Sequence, residues 1–515
     1  MCDRCEQDAG DENNSQAAGL HSTSQYLASH KLLFQLDSRF RGNDDEFWPL
    51  PSCPHAPIRY HVAPMQDLTQ GSIPRHLITL SVPIAVGMFV QTMYYLVDIY
   101  FVAQLGGTVL AGVSAAGSLT FVVLALTQML SVGTVALIAP AVGRKDQAGA
   151  NLIFNQSVAL SVLCGALTLL GGYTLGEKYL HTVGVEAEAM EAGLAYLRWY
   201  VPGMALQFGI AAMGAALRGT GVVKPTMIVQ MITVLANIIL APILIAGWGT
   251  GHPMGAAGAG LATTLAVVIG VAMMVWYFVR LEHYVAWDGT QIRPRPVVWK
   301  QMLNLGLPAG GEFLLMFVYM AVIYSAISGF GAVAQAGFGL GTRIMQAVFL
   351  PSLAIAFAVP ALGGQNMGAR KADRVRETIR AALLIECSIM VLLTLACQAH
   401  AIGFLRPFTN DAAVIAVGVQ FLEVVSWNFV FSGVNFACSG MFQALGNTWP
   451  ALFSTATRLL TFVIPVLWLS RQPGFEIVHV WYLSVATMTL QGLLSLTLLR
   501  LQMQAKLEDL EPRFP

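Results

Sequence analysis

The sequence is short of charged residues. Only 11% of its 515 residues are Asp, Glu, Lys or Arg, whereas soluble globular domains carry roughly 25%. A water-soluble protein must cover its surface with polar groups, so this deficit excludes an ordinary soluble domain. A hydrocarbon environment accounts for it, because 56% of the residues are hydrophobic and helices satisfy their own backbone hydrogen bonds.

Several functional signatures are missing as well. There is no Gly-x-x-x-x-Gly-Lys-Ser/Thr loop for nucleotide phosphates, no His-Glu-x-x-His zinc motif, and no cluster among the ten histidines. The seven cysteines form no ladder of spacings. The net charge is zero, which gives no reason to expect a nucleic-acid partner. We therefore expect no metal, no cofactor and no enzymatic activity.

Two kinds of sequence follow one another along the chain. Residues 1–70 are polar and lack a signal-peptide pattern. We expect a disordered tail there, or a mis-assigned start with Met65 as the true one. From residue 78 onwards, twelve apolar runs are long enough to cross a bilayer, for which about 20 residues suffice. The runs cover residues 78–103, 110–140, 152–174, 192–216, 226–247, 255–279, 303–328, 332–362, 380–402, 413–441, 450–470 and 477–499.

The loops between these runs differ in their Lys and Arg content, which predicts orientation. Loops after even-numbered runs carry twelve such residues, Arg218 and Lys224 among them, and the opposite loops carry three. We therefore predict an all-α protein of the cell membrane (the inner membrane in a Gram-negative source) with both termini in the cytoplasm. We expect it to work as a monomer in the lipid bilayer.

The two halves repeat each other at an offset of 225 residues. Ser81-Val-Pro83 matches Gly306-Leu-Pro308, and Gly106 matches Gly331. Six spans is an even number, so both copies enter from the same side as a parallel repeat, which favours alternating access between two lobes. The predicted divisions are an N-lobe at 71–280, an interlobe linker at 281–302, a C-lobe at 303–500 and a tail at 501–515.

Polar residues inside the predicted spans are functional candidates because charge in hydrocarbon is costly. Asp98 lies in helix 1, Asn237 in helix 5 and Glu312 in helix 7. Each has a structural alternative: Asp98 solvated near a helix end, Asn237 in an interhelical hydrogen bond, and Glu312 paired with Arg343 or Arg458. Asp98 is a candidate proton carrier, and Glu312 is a candidate either for a proton carrier or for the counter-charge of a cationic substrate.

Five motifs occur in order along both halves. They are Pro83 through Val97-Asp98, Gly143-Arg-Lys-Asp146, Leu217-Arg-Gly-Thr-Gly-Val-Val-Lys-Pro225, Gly364-Gln-Asn-Met-Gly-Ala369 and Gln443-Ala-Leu-Gly-Asn-Thr-Trp-Pro450. Over about residues 72–500 their order and spacing resemble the multidrug and toxic compound extrusion (MATE) family. The resemblance implies a secondary antiporter that exports organic cations, drugs or other toxic amphiphiles in exchange for protons or sodium ions.

The resemblance also implies roles for particular residues. The family's first-helix Asp couples cations, which transfers to Asp98. Many members carry Asn-x-x-x-Asp in helix 5, whereas this chain has Asn237 followed by Ala241. Another branch uses a helix 7 Glu with a helix 10 Asp. Glu312 stands one turn before that Glu, and Asn435 stands near the Asp position, so each lobe carries a partial site. The resemblance thus implies that Asp98, Asn237 and Glu312 couple transport to an ion.

Aromatic and methionine side chains in a central cavity suit flat hydrophobic cations. The residues that we predict to contact substrate are Gln91, Tyr94, Tyr95, Met316, Tyr319 and Asn435. The main alternative is a flippase for a lipid-linked saccharide, which should have a basic cavity for pyrophosphate. Few Arg or Lys residues lie in the predicted spans, chiefly Arg343 and Arg458, which disfavours it.

Overall fold

A computed structural model of the chain describes residues 66–184, 186–282, 284–508 and 510, with the backbone alone at 94–96. The expectations for residues 1–65 and for the end of the tail lie outside these ranges. The described chain is helical nearly throughout. Its first half contains α1 Ile73–Ala103, α2 Gly107–Gly117, α3 Leu119–Gly143, α4 Gln147–Thr182, α5 Ala187–Gly219, α6 Lys224–Ile245 and α7 Gly255–Arg280. Its second half contains α8 Pro296–Ile327, α9 Ala332–Gly368, α10 Ala372–Leu405, α11 Ala412–Val425, α12 Asn428–Ala444, α13 Trp449–Leu469 and α14 Ile477–Glu508.

These helices form the expected number of spans. Within the described residues, eleven apolar helical segments are long enough to cross a membrane, α2 and α3 counting as one, and the bent pair α11–α12 makes a twelfth. Large apolar side chains cover the outside, including Ile464 at 67% exposed and Leu392 at 66%. Soluble monomers rarely expose contiguous apolar surface of this kind, so the exterior is that of a multi-pass membrane protein.

The tenth span is not the single helix that the apolar run 413–441 predicts. It bends by 55° between α11 and α12. The Thr394 hydroxyl of α10 donates to the carbonyl oxygen of Ser426 at 2.9 Å, and the Gln398 amide donates to the Ser426 hydroxyl at 2.8 Å. Backbone groups left unpaired in a membrane cost several kcal/mol each, so these α10 side chains stabilise the break.

The backbone repeats at the offset seen in the sequence. Gly221 and Gly446, 225 positions apart, have φ of +83° and +70° at the ends of equivalent helices. Lys145 and Arg370 are another such pair, with φ of +60° and +57°. The left-handed conformation costs a non-glycine residue roughly 1–2 kcal/mol. Its occurrence at both equivalent positions therefore confirms the parallel repeat.

The two lobes meet at a seam between α3 and α9. A Cβ atom on Gly143 would lie 1.9 Å from the carbonyl oxygen of Gln365, and one on Gly368 would lie 2.0 Å from that of Pro140. Pro140 and Gln365 are themselves 225 residues apart, so one contact is made twice about the repeat axis. Only glycine permits backbones to approach this closely.

The first helix of each half is shared between the lobes. Residues 73–80 of α1 pack in a hydrophobic cluster built chiefly from the second half, while Val102 packs in the cluster of the first half. The start of α8 does the reverse, with Met302 in the first-half cluster. The equivalent residues Pro83 and Pro308 lie between the two packing regions, where a missing backbone hydrogen bond permits bending.

The segment that leads into α1 is held by the second half. Gln365 accepts a hydrogen bond from the Leu68 backbone N–H at 3.1 Å. The Arg374 guanidinium donates to the carbonyl oxygens of Gly71 at 2.9 Å and Leu68 at 3.2 Å. Residues 66–72 therefore form a strap across the lobes.

The segment that leads into α8 is held in turn by α4. The amide of Asn155 donates to one linker carbonyl at 2.9 Å and accepts from a linker N–H at 3.0 Å. Gln156 does the same with two bonds of 2.8 Å. The linker positions bonded are Ala286, Asp288, Arg293 and Arg295. The strap, the linker and the seam all lie where α1 and α8 begin and α3 and α9 end, which we call the clamped face.

Candidate functional site

The N-lobe site contains polar atoms with unused hydrogen-bonding capacity. Oδ1 of Asp98 in α1 is buried and has no hydrogen-bond partner among the described residues. Asn237 in α6 is completely buried; its Nδ2 lies 3.4 Å from the hydroxyl of Thr263, and its Oδ1 likewise has no partner in the described part of the chain. Buried polar oxygens without a donor are costly, so this lobe presents acceptors suited to a proton or a small cation.

These two residues lie at the same level of neighbouring helices. α1 packs against α6, and as the first and fifth spans they run in the same direction. The Gln230 amide of α6 donates to Gln91 of α1 at 2.8 Å. Asp98 and Asn237 each come seven residues, about two helical turns, after that hydrogen bond. Ala241, one turn further, is completely buried in the N-lobe cluster.

Both carboxyl oxygens of Glu312 in the C-lobe site have a hydroxyl group as partner. Ser439 of α12 donates to Oε2 of Glu312 at 3.0 Å, and Thr455 of α13 lies within hydrogen-bonding reach of Oε1 at 3.5 Å. Glu312 itself lies on α8. Its carboxyl group therefore joins three helices of the lobe.

A polar chain continues from Glu312 to Asn435. Gln491 of α14 donates to the Thr455 hydroxyl at 3.1 Å and accepts through its backbone carbonyl from Ser454. Ser454 and Ser495 are 2.6 Å apart, and Ser495 donates to Oδ1 of Asn435 at 2.7 Å. The two C-lobe residues singled out from the sequence are thus linked, although five intervening polar groups separate them.

Neither arginine considered as a partner pairs with Glu312. Arg343 is exposed. The Arg458 guanidinium lies over the ring of Tyr319, 4.2 Å from its centroid. Within the described part of the chain the ion pair found is the surface pair of Arg376 and Asp373. In this conformation Glu312 is held by hydroxyl groups alone.

The predicted substrate contacts occupy different environments. Tyr319 and Asn435 are each 8% exposed, and Tyr319 shares a hydrogen bond of 2.9 Å with Ser484 inside the C-lobe. Met316 is 49% exposed. Gln91 joins α1 to α6. The side chains of Tyr94 and Tyr95 lie outside the described residues, and the assignment of all six to substrate binding stays a prediction.

Two charged residues take positions that sequence reasoning missed. Arg218, counted above among loop residues, lies in the last turn of α5 and donates to Ser131. Its guanidinium also lies 5.7 Å from the centroid of the Phe357 ring of the other lobe. Arg218 is therefore part of the lobe contact at the clamped face. The second residue, Glu386, is a single charge in an apolar run of α10, which is the signal that could have identified it.

Comparison with known proteins agrees with this architecture. The MatE family model matches residues 83–243 and again residues 308–469. "Probable multidrug resistance protein YpnP" of Bacillus subtilis is 26% identical over 81% of this chain and 90% of its own length. "Multidrug export protein MepA" of Staphylococcus saprophyticus is 24% identical over 77% and 87%.

A solved structure gives the same result in three dimensions. The structure described as "Outward-facing conformation of a multidrug resistance MATE family transporter of the MOP superfamily" is 25% identical to this chain, with a TM-score of 0.80 over 85% of this chain and 98% of that one. The fold is therefore that of a multi-pass helical transporter with two homologous halves. The chain belongs to the MatE family. The family resemblance seen in the motifs and the twelve-span, two-repeat fold are both confirmed.

Proposed function

We propose that the protein is a multidrug efflux transporter that exports organic cations or other amphiphiles in exchange for protons or sodium ions. Support comes from the family, from the names of its relatives, and above all from the N-lobe site. That site holds a membrane-embedded carboxyl group, Asp98, with an unpartnered oxygen. No described arginine, lysine or histidine is found paired with it.

Ion binding at Asp98 follows from electrostatics. An unpaired buried charge costs several kcal/mol, so Asp98 is stable here only when a proton or a cation neutralises it. Asn237 adds a carbonyl oxygen at the same level. Release of the ion leaves a carboxylate that attracts a cationic substrate. By linkage, ion and substrate then oppose each other through one charge or one conformational equilibrium.

The clamped face supplies the conformational part of the proposal. We assign it to the cytoplasmic side, in agreement with the Lys and Arg content of its loops. The conformation described is then closed to the cytoplasm. Opening requires the Gly143 and Gly368 contacts to part and the strap and linker to follow. One chain contains both lobes, so a monomer suffices.

Efflux of ethidium from cells that express the protein tests this function. We expect efflux to stop when either the proton gradient or the sodium gradient is abolished. The gradient whose loss stops efflux identifies the coupling ion. Lack of efflux for any cation would contradict the proposal. Accumulation of a lipid-linked saccharide in a deletion strain would instead favour the flippase.

A further inference from the structure

A second buried carboxyl group lies in the C-lobe, apart from the Glu312 chain. Glu386 is at the middle of α10 and is 0% exposed. It faces the hydroxyl of Ser352 on α9 and the backbone N–H of Ala437 on α12. Neither carboxyl oxygen forms a hydrogen bond of ordinary geometry with any described residue.

The surroundings of Glu386 are tightly packed. A Cβ atom on Gly433 of α12 would lie 3.4 Å from both Oε2 of Glu386 and the hydroxyl of Ser352, and 3.2 Å from Cγ of Met390. The two side-chain oxygens thus converge against the α12 backbone, where glycine leaves the space they occupy. With the second carboxyl oxygen the site offers three side-chain oxygens, which are few for a sodium ion, whereas a proton needs only one acceptor.

No described residue in contact with Glu386 supplies a positive charge. α9 presents Ser352, whose buried, uncharged hydroxyl forms no hydrogen bond of ordinary geometry with a described residue. The titratable neighbours are two thiols, Cys438 of α12 and Cys387 of α10. An ionised Glu386 would be a lone buried charge, which costs several kcal/mol. The neutral acid is therefore the form that this packing stabilises.

Both helices that cover Glu386 are interrupted nearby. Pro351 in α9 immediately precedes Ser352 and removes one backbone hydrogen bond. α12 begins at the 55° break, five residues before Gly433. α9 also forms the seam with the other lobe through Gly368. A movement of the lobes at the seam is thereby connected, along α9, to the packing around Glu386.

We infer that Glu386 is a proton-binding site of the C-lobe, which holds a proton while α9 and α12 pack as here and releases it when they separate. The use of this proton in transport rests on the proposed function. The binding and release of the proton do not.

Infrared spectroscopy of the purified protein in lipid nanodiscs tests the binding. We expect a protonated-carboxyl C=O band that is lost in Glu386→Gln and kept in Glu377→Gln, an exposed carboxyl on the same helix. The double variant Gly143→Ala/Gly368→Ala, which forces the seam apart, should lose the same band without any drug present. The inference is overturned if Glu386→Gln loses no protonated-carboxyl band relative to the wild type, or if the band assigned to Glu386 is equally strong in the double variant.

Ethidium provides a second measurement if the double variant fails to fold. If the wild type binds or moves ethidium, adding ethidium should reduce the Glu386 band, and an unchanged band then overturns the inference. In vesicles, Glu386→Gln should lower ethidium uptake driven by a pH gradient by roughly 5- to 150-fold, with Glu377→Gln unaffected; full activity of Glu386→Gln also overturns it. If the wild type neither binds nor moves ethidium while the double variant loses the band, the proposed function fails and the proton site stands.

Discussion

The two lobes repeat one backbone but hold Asp98 and Glu312 in opposite ways. Among the residues that the structure describes, Oδ1 of Asp98 in the N-lobe has no hydrogen-bond partner, and neither has Oδ1 of Asn237. Glu312 in the C-lobe faces a hydroxyl group at each oxygen and continues into a polar chain. Unused acceptors leave a site open to an incoming cation, whereas filled ones fix the packing of helices. If the proposed function holds, we therefore expect Asp98 to contribute more to ion coupling than Glu312.

The positions that correspond across the repeat explain how this difference arose on one scaffold. Ile323 corresponds to Asp98 and is 4% exposed within an apolar cluster. Gly87 corresponds to Glu312, and a Cβ there would lie 2.8 Å from Oε1 of Gln230. Each lobe fills the other's acidic position with an apolar or absent side chain. The repeat therefore preserves helix contacts and not chemistry.

The largest effect is expected for Asp98→Asn. It keeps the shape of the side chain but removes the charge that the ion neutralises, so gradient-driven efflux should fall near the upper end of the roughly 5- to 150-fold range of coupling energies. Efflux from vesicles under an imposed ion gradient measures it. Glu177→Gln, an exposed carboxyl of the same lobe, is the control. Full efflux by Asp98→Asn would transfer the coupling role to Glu312.

Equivalent substitutions at the seam should have equal effects in the two lobes, unlike substitutions at the acidic sites. Gly143→Ala and Gly368→Ala each place a methyl about 2 Å from a carbonyl oxygen of the other lobe. Overpacking of this kind costs about 1–3 kcal/mol, so both variants should populate the state open at the clamped face to a similar extent.

Distances between spin labels on the two lobes report this opening. Gly171→Ala serves as the control, since a Cβ on Gly171 of α4 meets nothing within 4 Å. Opening by one glycine variant and not by the other would break the symmetry proposed for the seam.

A smaller loss is expected for Glu312→Gln. Glutamine keeps an oxygen that can accept from Ser439, so the helices should stay joined and efflux should fall by about fivefold, the lower end of the coupling range. Parallel efflux assays of Glu312→Gln and Asp98→Asn compare the lobes directly. A greater loss in Glu312→Gln would reverse the ranking drawn here.

The smallest effect concerns the strap. The Thr69 hydroxyl donates to Asp67 at 2.7 Å and lowers the pKa of that carboxyl below its ordinary value of 3.8. A carboxyl group whose pKa is lowered by folding stabilises the protein at pH values above its unfolded-state pKa. This stabilisation is lost as the pH falls through the folded-state pKa. Asp67→Asn should therefore cost less than about 1 kcal/mol, equally at about pH 6 and pH 8. Thermal unfolding of the wild type and of Asp67→Asn at both pH values measures this cost. A cost that differs between about pH 6 and pH 8 would contradict the assignment.

The sequence alone determined the class of the molecule. The length of the apolar runs predicted the membrane spans, and the offset of 225 residues predicted the repeat. Isolated polar residues within apolar runs identified Asp98, Asn237 and Glu312 as candidates. These signals are local, because the cost of placing polar groups in hydrocarbon acts residue by residue. Family motifs read from the sequence likewise led to the family that comparison then showed.

Only the tertiary structure decided which residues meet. The hydroxyls around Glu312, the position of Arg218 between the lobes and the burial of Glu386 depend on how each helix is rotated and tilted, which apolar length leaves open. The exchange of α1 and α8 between the two cores is likewise a property of packing. The sequence therefore identifies the acidic residues of the two lobes, whereas the tertiary structure determines which residues they contact.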